Sequence, residues 1–194
     1  MDHAPWKVVA VIHSQAWGDN VANYSRDGTR FVTAGADGIV RIWDTYTGKL
    51  QHVLTGAKPG KQLIAVALST DGTRAAALSE TDADYRDLHW WDTISGSSGP
   101  LAGGFCRANW LEFPAGFDGV LTIGYGPVAQ LWQIPGGGVR SCDAPPDGAM
   151  LFARYGYALS HDGRLLATLD DRQIGIFDLQ TGACLHRLAV SPYR

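Results

Sequence analysis

Between residues 25 and 49 two short apolar stretches, Phe31 to Ala34 and Ile39 to Trp43, are parted by Gly35-Ala36-Asp37-Gly38. Asp and Gly tolerate the backbone angles of a tight turn, and the β-branched and aromatic residues on either side suit a pleated, half-buried surface. The pattern predicts a hairpin. Upstream, Val21 to Ser25 runs into Arg26-Asp27-Gly28 and reads as a preceding strand. Downstream, Thr47-Gly48 turns the chain into a further strand, Lys49 to Thr55. The result is a unit of four antiparallel strands, a to d in chain order.

The same frame recurs. It places strands at Ile64 to Leu68, Arg74 to Leu78 and Leu88 to Trp91, then at Trp110 to Phe113, Val120 to Ile123, Val128 to Trp132 and Val139 to Cys142. A last set falls at Tyr157 to Ser160, Leu165 to Leu169, Ile174 to Phe177 and Cys184 to Val190. Asp-Gly pairs at 27–28, 71–72, 118–119 and 162–163 are 44, 47 and 44 residues apart. Each is followed by an aromatic and a polar residue: Trp43-Asp44, Trp91-Asp92, Trp132-Gln133, Phe177-Asp178. That period is the one at which a four-stranded propeller blade repeats. The expected fold is all-β, with about four four-stranded antiparallel blades making a partial or half propeller. The expected division is an N-terminal outer strand at 1–12 and blades at 13–55, 56–102, 103–142 and 143–194, together one domain.

Composition agrees with a packed body. The hydrophobic share is 45% and the charged share 18%, enough apolar material for a core. A formal net charge of -3 with the two signs interspersed offers no basic field for a nucleic-acid backbone. Cys106, Cys142 and Cys184 are odd in number and lack any C-x-x-C spacing, which argues against a disulfide framework and a zinc site. Six scattered His show no metal-ligand spacing. The opening Met1-Asp2-His3-Ala4-Pro5 lacks the basic and apolar regions of a signal peptide, and no apolar run is long enough for a bilayer. A cytoplasmic protein without a membrane partner is the expectation.

With S-x-D-G between strands a and b at 25–28, 69–72 and 160–163, Trp-Asp ending strand c at 43–44 and 91–92, and related pairs in phase in the remaining copies, the chain resembles the WD40-repeat family over nearly its whole length. The resemblance implies radial blades around a central channel, with strand a innermost. It also implies a protein-binding scaffold with neither catalysis nor a cofactor. Blades of that family carry a buried relay of His, Ser/Thr, Asp and Trp, and the first blade matches it in full at His13, Thr33, Asp37 and Trp43. The second blade has Ala77 in the hydroxyl place, the third keeps Thr122 and Trp132 but has no Asp after the hydroxyl, and the fourth keeps Thr168 but has Phe177 for Trp. A His, a hydroxyl and an Asp also compose a catalytic triad, but here the hydroxyl faces an indole inside a blade instead of a substrate.

The insertion from Glu80 to Asp87, with Glu80, Asp82, Asp84, Tyr85 and Asp87, reads as a solvated hairpin tip or as a docking loop for a basic partner. Trp17 lies in a loop before strand a and suits a partner anchor. Asp143 and Asp147, in the loop 143–148 that opens the fourth blade, are further candidate partner contacts. The connections from strand d to the next strand a, and the b to c turns, leave each blade at one end, so these elements are expected to share a rim.

Four blades fill about half of a seven- or eight-bladed ring, so the first and last should each present an uncovered apolar face. Residues 6 to 12, Trp-Lys-Val-Val-Ala-Val-Ile, read as an outer strand preceding the first blade. The expected partners are therefore proteins, including another chain or a second copy that completes the propeller. Two further readings remain open. One is the sensor portion of a larger signalling protein. The other is a propeller-scaffold enzyme of quinoprotein type, since Asp44-x-x-Thr47-Gly48-Lys49 resembles that family's blade turn.

Overall fold

The computed structural model describes residues 21–56, 60–81, 86–106, 108–124, 129–136, 138–142, 156–169 and 173–190, with the backbone alone for 101–106. These residues form sixteen strands in four four-stranded antiparallel sheets, and no helix occurs among them. The first sheet is β1 (Val21–Tyr24), β2 (Arg30–Ala34), β3 (Val40–Asp44) and β4 (Leu50–Leu54). The second is β5 (Leu63–Leu68), β6 (Arg74–Glu80), β7 (Arg86–Asp92) and β8 (Ser98–Cys106). The third is β9 (Ala108–Glu112), β10 (Gly119–Gly124), β11 (Ala129–Gln133) and β12 (Val139–Cys142). The fourth is β13 (Gly156–Leu159), β14 (Leu165–Leu169), β15 (Gln173–Asp178) and β16 (Cys184–Ala189). In every sheet the strands lie side by side in chain order, and the sheets are not closed into a barrel. β8 continues to Cys106, four residues past the span that the repeat frame gives the second blade.

Register sorts each strand's side chains onto two faces, because successive residues of a strand point to opposite sides. In the first sheet Val32 pairs with Ile42 and Ala34 with Val40 on one face, while Phe31 pairs with Trp43 and Thr33 with Arg41 on the other. The first of these faces packs against the second sheet. One buried cluster joins Val32, Ala34, Val40 and Ile42 to Val66, Leu68, Ala77 and Trp91. A second cluster joins Ala67, Ala76, Leu78 and Leu88 of the second sheet to Leu111, Val120 and Trp132 of the third. A third joins Leu121, Ile123 and Leu131 to Leu166 and Phe177 of the fourth. Each Val, Leu, Ile or Phe side chain buried in this way contributes on the order of 1.5–3 kcal/mol, and each alanine less. At all three junctions the arriving face carries the Trp or Phe ending strand c, while the leaving face is aliphatic in the first sheet and includes Trp90 in the second and Trp110 in the third.

The a–b turns are where glycine is required. Gly28, Gly72 and Gly163 take φ of 70°, 67° and 72°, a left-handed conformation that costs glycine little. In the third sheet the glycine at positive φ is Gly116, at 71°, and not the glycine of the third Asp-Gly pair. Pro114 stands where the other turns begin with Ser. Asp118-Gly119 therefore falls late in the turn, with Gly119 opening β10 opposite Gln133. A Cβ on Gly119 would run into the Trp132 carbonyl, so this glycine is held by close backbone approach. The 47-residue interval in the sequence reflects this displaced pair.

Candidate interaction surface

At one end of the sheets the a–b and c–d turns are hydrogen-bonded together: Thr45 N donates to the Thr29 carbonyl at 3.0 Å, Thr93 N to that of Thr73 at 2.8 Å, and Leu179 N to that of Arg164 at 2.8 Å. The Asp of each S-x-D-G sequence folds back on its own turn. Asp27 accepts from the Ser25 hydroxyl at 2.7 Å and from Thr29 N at 3.0 Å. Asp71 does the same with Ser69 and Thr73, and Asp162 with Ser160 and Arg164 N. The Asp after the strand-c aromatic caps the c–d turn. Asp44 accepts from Thr47 N at 2.8 Å, Asp92 from Ser95 N at 2.7 Å, and Asp178 from Gln180 N at 2.8 Å.

These bonds favour the ionised carboxylate. The Ser25 hydroxyl holds the pKa of Asp27 below the usual 3.8, the Thr47 hydroxyl does so for Asp44, the Ser95 N–H for Asp92 and the Ser160 hydroxyl for Asp162. Between the lowered folded values and 3.8 the unfolded chain binds more protons, so stability falls as pH drops through that window. Burial lowers the pKa of His89 from 6.5, and the sign is again the same: the unfolded chain takes up that proton first. Burial raises the pKa of Glu112 above 4.5, against the opposing effects of Tyr157 and Arg26. That group acts in the opposite direction, favouring the folded state below its raised value. The expected profile is a first loss of stability as pH falls below about 6.5 and a steeper one below about 4. Urea midpoints measured from pH 8 to 3 check it, and Asp44→Asn should flatten the acid limb. A midpoint that climbs between pH 4 and 3 would contradict the turn assignment.

Arginines link the sheets. Arg30 donates to the Asp71 carbonyl at 2.6 Å, joining the first sheet to the second. Arg74 pairs with Asp118 of the third, and Arg140 donates to the Gln180 carbonyl of the fourth. Arg26, on the first a–b turn, donates to the carbonyls of Ser160 and His161 on the last. Tyr157 donates to Glu112 at 2.9 Å between β13 and β9. A cleft of about 270 Å³ lies between the a–b turns of the second and third sheets, lined by Ser69, Asp71, Arg74, Phe113 and Asp118 among others. The arginine links escaped the sequence reading, although the repeated Asp-Gly-Thr-Arg at 27–30 and 71–74 was their visible trace.

At the opposite end, which carries the first b–c turn, Leu63 N donates to the Gly35 carbonyl at 3.2 Å and Glu80 N to that of Gln62 at 2.9 Å. Glu80 is exposed there, and Asp87 sits opposite Ser79 in the register of β6 and β7. Trp17, Asp82, Asp84, Tyr85, Asp143 and Asp147 lie outside the described residues, as does the segment 6 to 12.

Of the four relay positions, the structure brings two together. Trp43 Nε1 donates to Thr33 Oγ1 at 3.0 Å. Asp37 accepts from Ile39 N at 3.1 Å and pairs with Arg41 at 2.7 Å, both within its own hairpin. His13 lies outside the described residues. The third sheet repeats the indole bond, Trp132 Nε1 to Thr122 Oγ1 at 2.9 Å. In the second, where Ala77 offers no hydroxyl, Trp91 Nε1 donates to the Thr55 carbonyl at 2.7 Å. In the fourth, Phe177 has no N–H to give, and Thr168 Oγ1 is buried without a hydrogen-bond partner among the described residues.

The end sheets differ from the inner ones in cover. Tyr24 is 60% exposed, whereas its counterparts at the end of strand a, Leu68 and Phe113, are 4% and 7% exposed. On the far side of the fourth sheet Leu169 is 38% exposed, while Ala34, Leu78 and Ile123 at the same place are at most 2% exposed. Across the open first face the rings run in a row, Tyr24 to Phe31 at 5.9 Å and Phe31 to Trp43 at 6.0 Å, with Leu50 paired beyond.

Residues 19–44 match the family model of the WD domain, G-beta repeat. That match and the four four-stranded antiparallel sheets fit a WD40-repeat family with several blades. No curated protein matches the chain. WD40 repeats generally mediate protein–protein interaction, and such domains are typically non-catalytic scaffolds. Among the described residues no group of three or more His, Cys, Asp or Glu is placed to hold a metal ion, and no helix is long and apolar enough to cross a membrane.

Proposed function

We propose that the chain is a non-catalytic interaction scaffold that binds protein through the outer faces of its first and fourth sheets, as one part of a larger propeller or assembly. The observation that carries this reading is the contrast in cover: positions buried at every inner junction are open at both ends of the row, where Tyr24, Phe31, Trp43 and Leu50 adjoin one another on the first face and Leu169, Ile174 and Leu188 on the fourth. Single exposed apolar residues are ordinary on a protein surface, but a contiguous apolar sheet face marks an interaction site. The turn end is the weaker candidate, because its carboxylates and arginines are largely taken up by bonds within and between the turns.

The test is comparative capture from the native source with three baits: the wild-type chain, Tyr24→Asp on the first face, and Tyr46→Asp on the turn end. Tyr46 is 71% exposed and lies off both faces. Proteins held by the wild type and by Tyr46→Asp but lost from Tyr24→Asp are the expected result. Partners lost only with the Tyr46 substitution would move the binding surface to the turns and overturn the reading.

A further inference from the structure

Resting on that reading, we propose that the polypeptide covering the two open faces is a second copy of this chain, docked head to tail so that the fourth sheet of each copy packs on the first sheet of the other. The chain contains three worked examples of the junction. In each, aliphatic residues of strands b and c on a leaving face, joined by Trp90 at the second junction and Trp110 at the third, meet an arriving face that bears the strand-c aromatic: Val32 and Ile42 against Trp91, Leu78 and Leu88 against Trp132, Leu121 and Leu131 against Phe177. The two uncovered faces are one of each kind.

Register places Ala167 opposite Ile176, and Leu169 opposite Ile174 and Leu188 beyond it, on the far side of the fourth sheet. That is an aliphatic leaving face. The near side of the first sheet presents Tyr24, Phe31 and Trp43, an arriving face with its aromatic at the same place in the frame. A second copy therefore offers the counterpart that each face lacks, in the chemistry the chain already uses three times.

Matching a leaving face to an arriving face is a heterologous contact, which closes only if the rotation per sheet brings the row back on itself. Two copies contribute eight sheets, within the usual range of four to eight blades. The alternative, closure of one chain on itself, has hydrogen bonds at the turns behind it but no apolar packing among the described residues. The first and fourth sheets meet through Arg26 at the turns, no apolar cluster joins them among the described residues, and both faces stay open.

Light scattering coupled to gel filtration on the purified full chain decides it. The expected mass at micromolar concentration is twice the 20.9 kDa of one chain. Tyr24→Asp and Leu169→Asp should each run as single chains, and an equimolar mixture of the two should recover a two-chain particle, because the intact fourth sheet of one still finds the intact first sheet of the other. If either variant fails to keep the wild-type circular dichroism spectrum, Leu50→Asp and Leu188→Asp serve as the second pair, both at exposed positions on the same faces.

A wild-type single chain overturns the inference while leaving the scaffold reading to the capture experiment, in which a different protein would then have to be lost with Tyr24→Asp. One variant remaining paired while the other does not would indicate like faces docking on like and overturn the head-to-tail arrangement. Masses that climb beyond two chains would overturn closure.

Discussion

Trp132→Ala is expected to cost about 3–5 kcal/mol, as loss of a fully buried large aromatic usually does, while Trp43→Ala at the same place in the frame costs well under half as much in dilute protein. Trp132 is 1% exposed between the second and third sheets and gives its indole N–H to Thr122. Trp43 makes the matching bond to Thr33, yet among the described residues no sheet packs against its face, so removing it opens a notch to water where Trp132 would leave a cavity. Urea titrations at two protein concentrations separate the cases. The cost of Trp132→Ala should not change with concentration, whereas that of Trp43→Ala should grow if a second copy covers the face at the higher one, because binding stabilises only the folded state. Equal costs for the two substitutions in dilute protein would contradict the open first face.

The strands were legible because a period of two and a period near 44 reinforce each other. Any stretch such as Phe31 to Ala34 is ambiguous alone, but its recurrence in phase with Trp43, Trp91 and Trp132 leaves one arrangement. What misled was chemistry that repeats in letters but not in geometry. Asp118-Gly119 has the same two residues as Asp27-Gly28, but Pro114 reshapes the turn so that Gly116 takes the left-handed position and Gly119 becomes a strand residue. The inter-sheet arginines were hidden for a different reason. Arg30 and Arg74 are ordinary surface residues in sequence, and only the packing of one sheet beside the next shows that each reaches the following turn. The open end faces stood between these extremes: a count of sheets anticipates them, while the identities Tyr24 and Leu169 come from the register.

The same conservative substitution should act with opposite signs in neighbouring sheets. Thr122→Val removes the acceptor of the buried Trp132 N–H, and a buried donor left without a partner costs about 1–3 kcal/mol. Thr168 holds the equivalent place in the fourth sheet, opposite Gly175 and beside Phe177. There the ring has no N–H, and among the described residues the Thr168 hydroxyl is itself the stranded group. Replacing that hydroxyl with a methyl of similar shape removes a desolvation penalty, so Thr168→Val is expected to stabilise the chain by roughly 0.5–2 kcal/mol. Both threonines lie on β-strands, where valine is at least as well suited, so backbone preference does not separate the two variants. Urea midpoints at unchanged slope give the two differences directly. A loss of stability in both variants would mean that the Thr168 hydroxyl has a partner. A loss in neither would mean that the Trp132–Thr122 bond contributes nothing, and that these sheets are held by their apolar junctions alone.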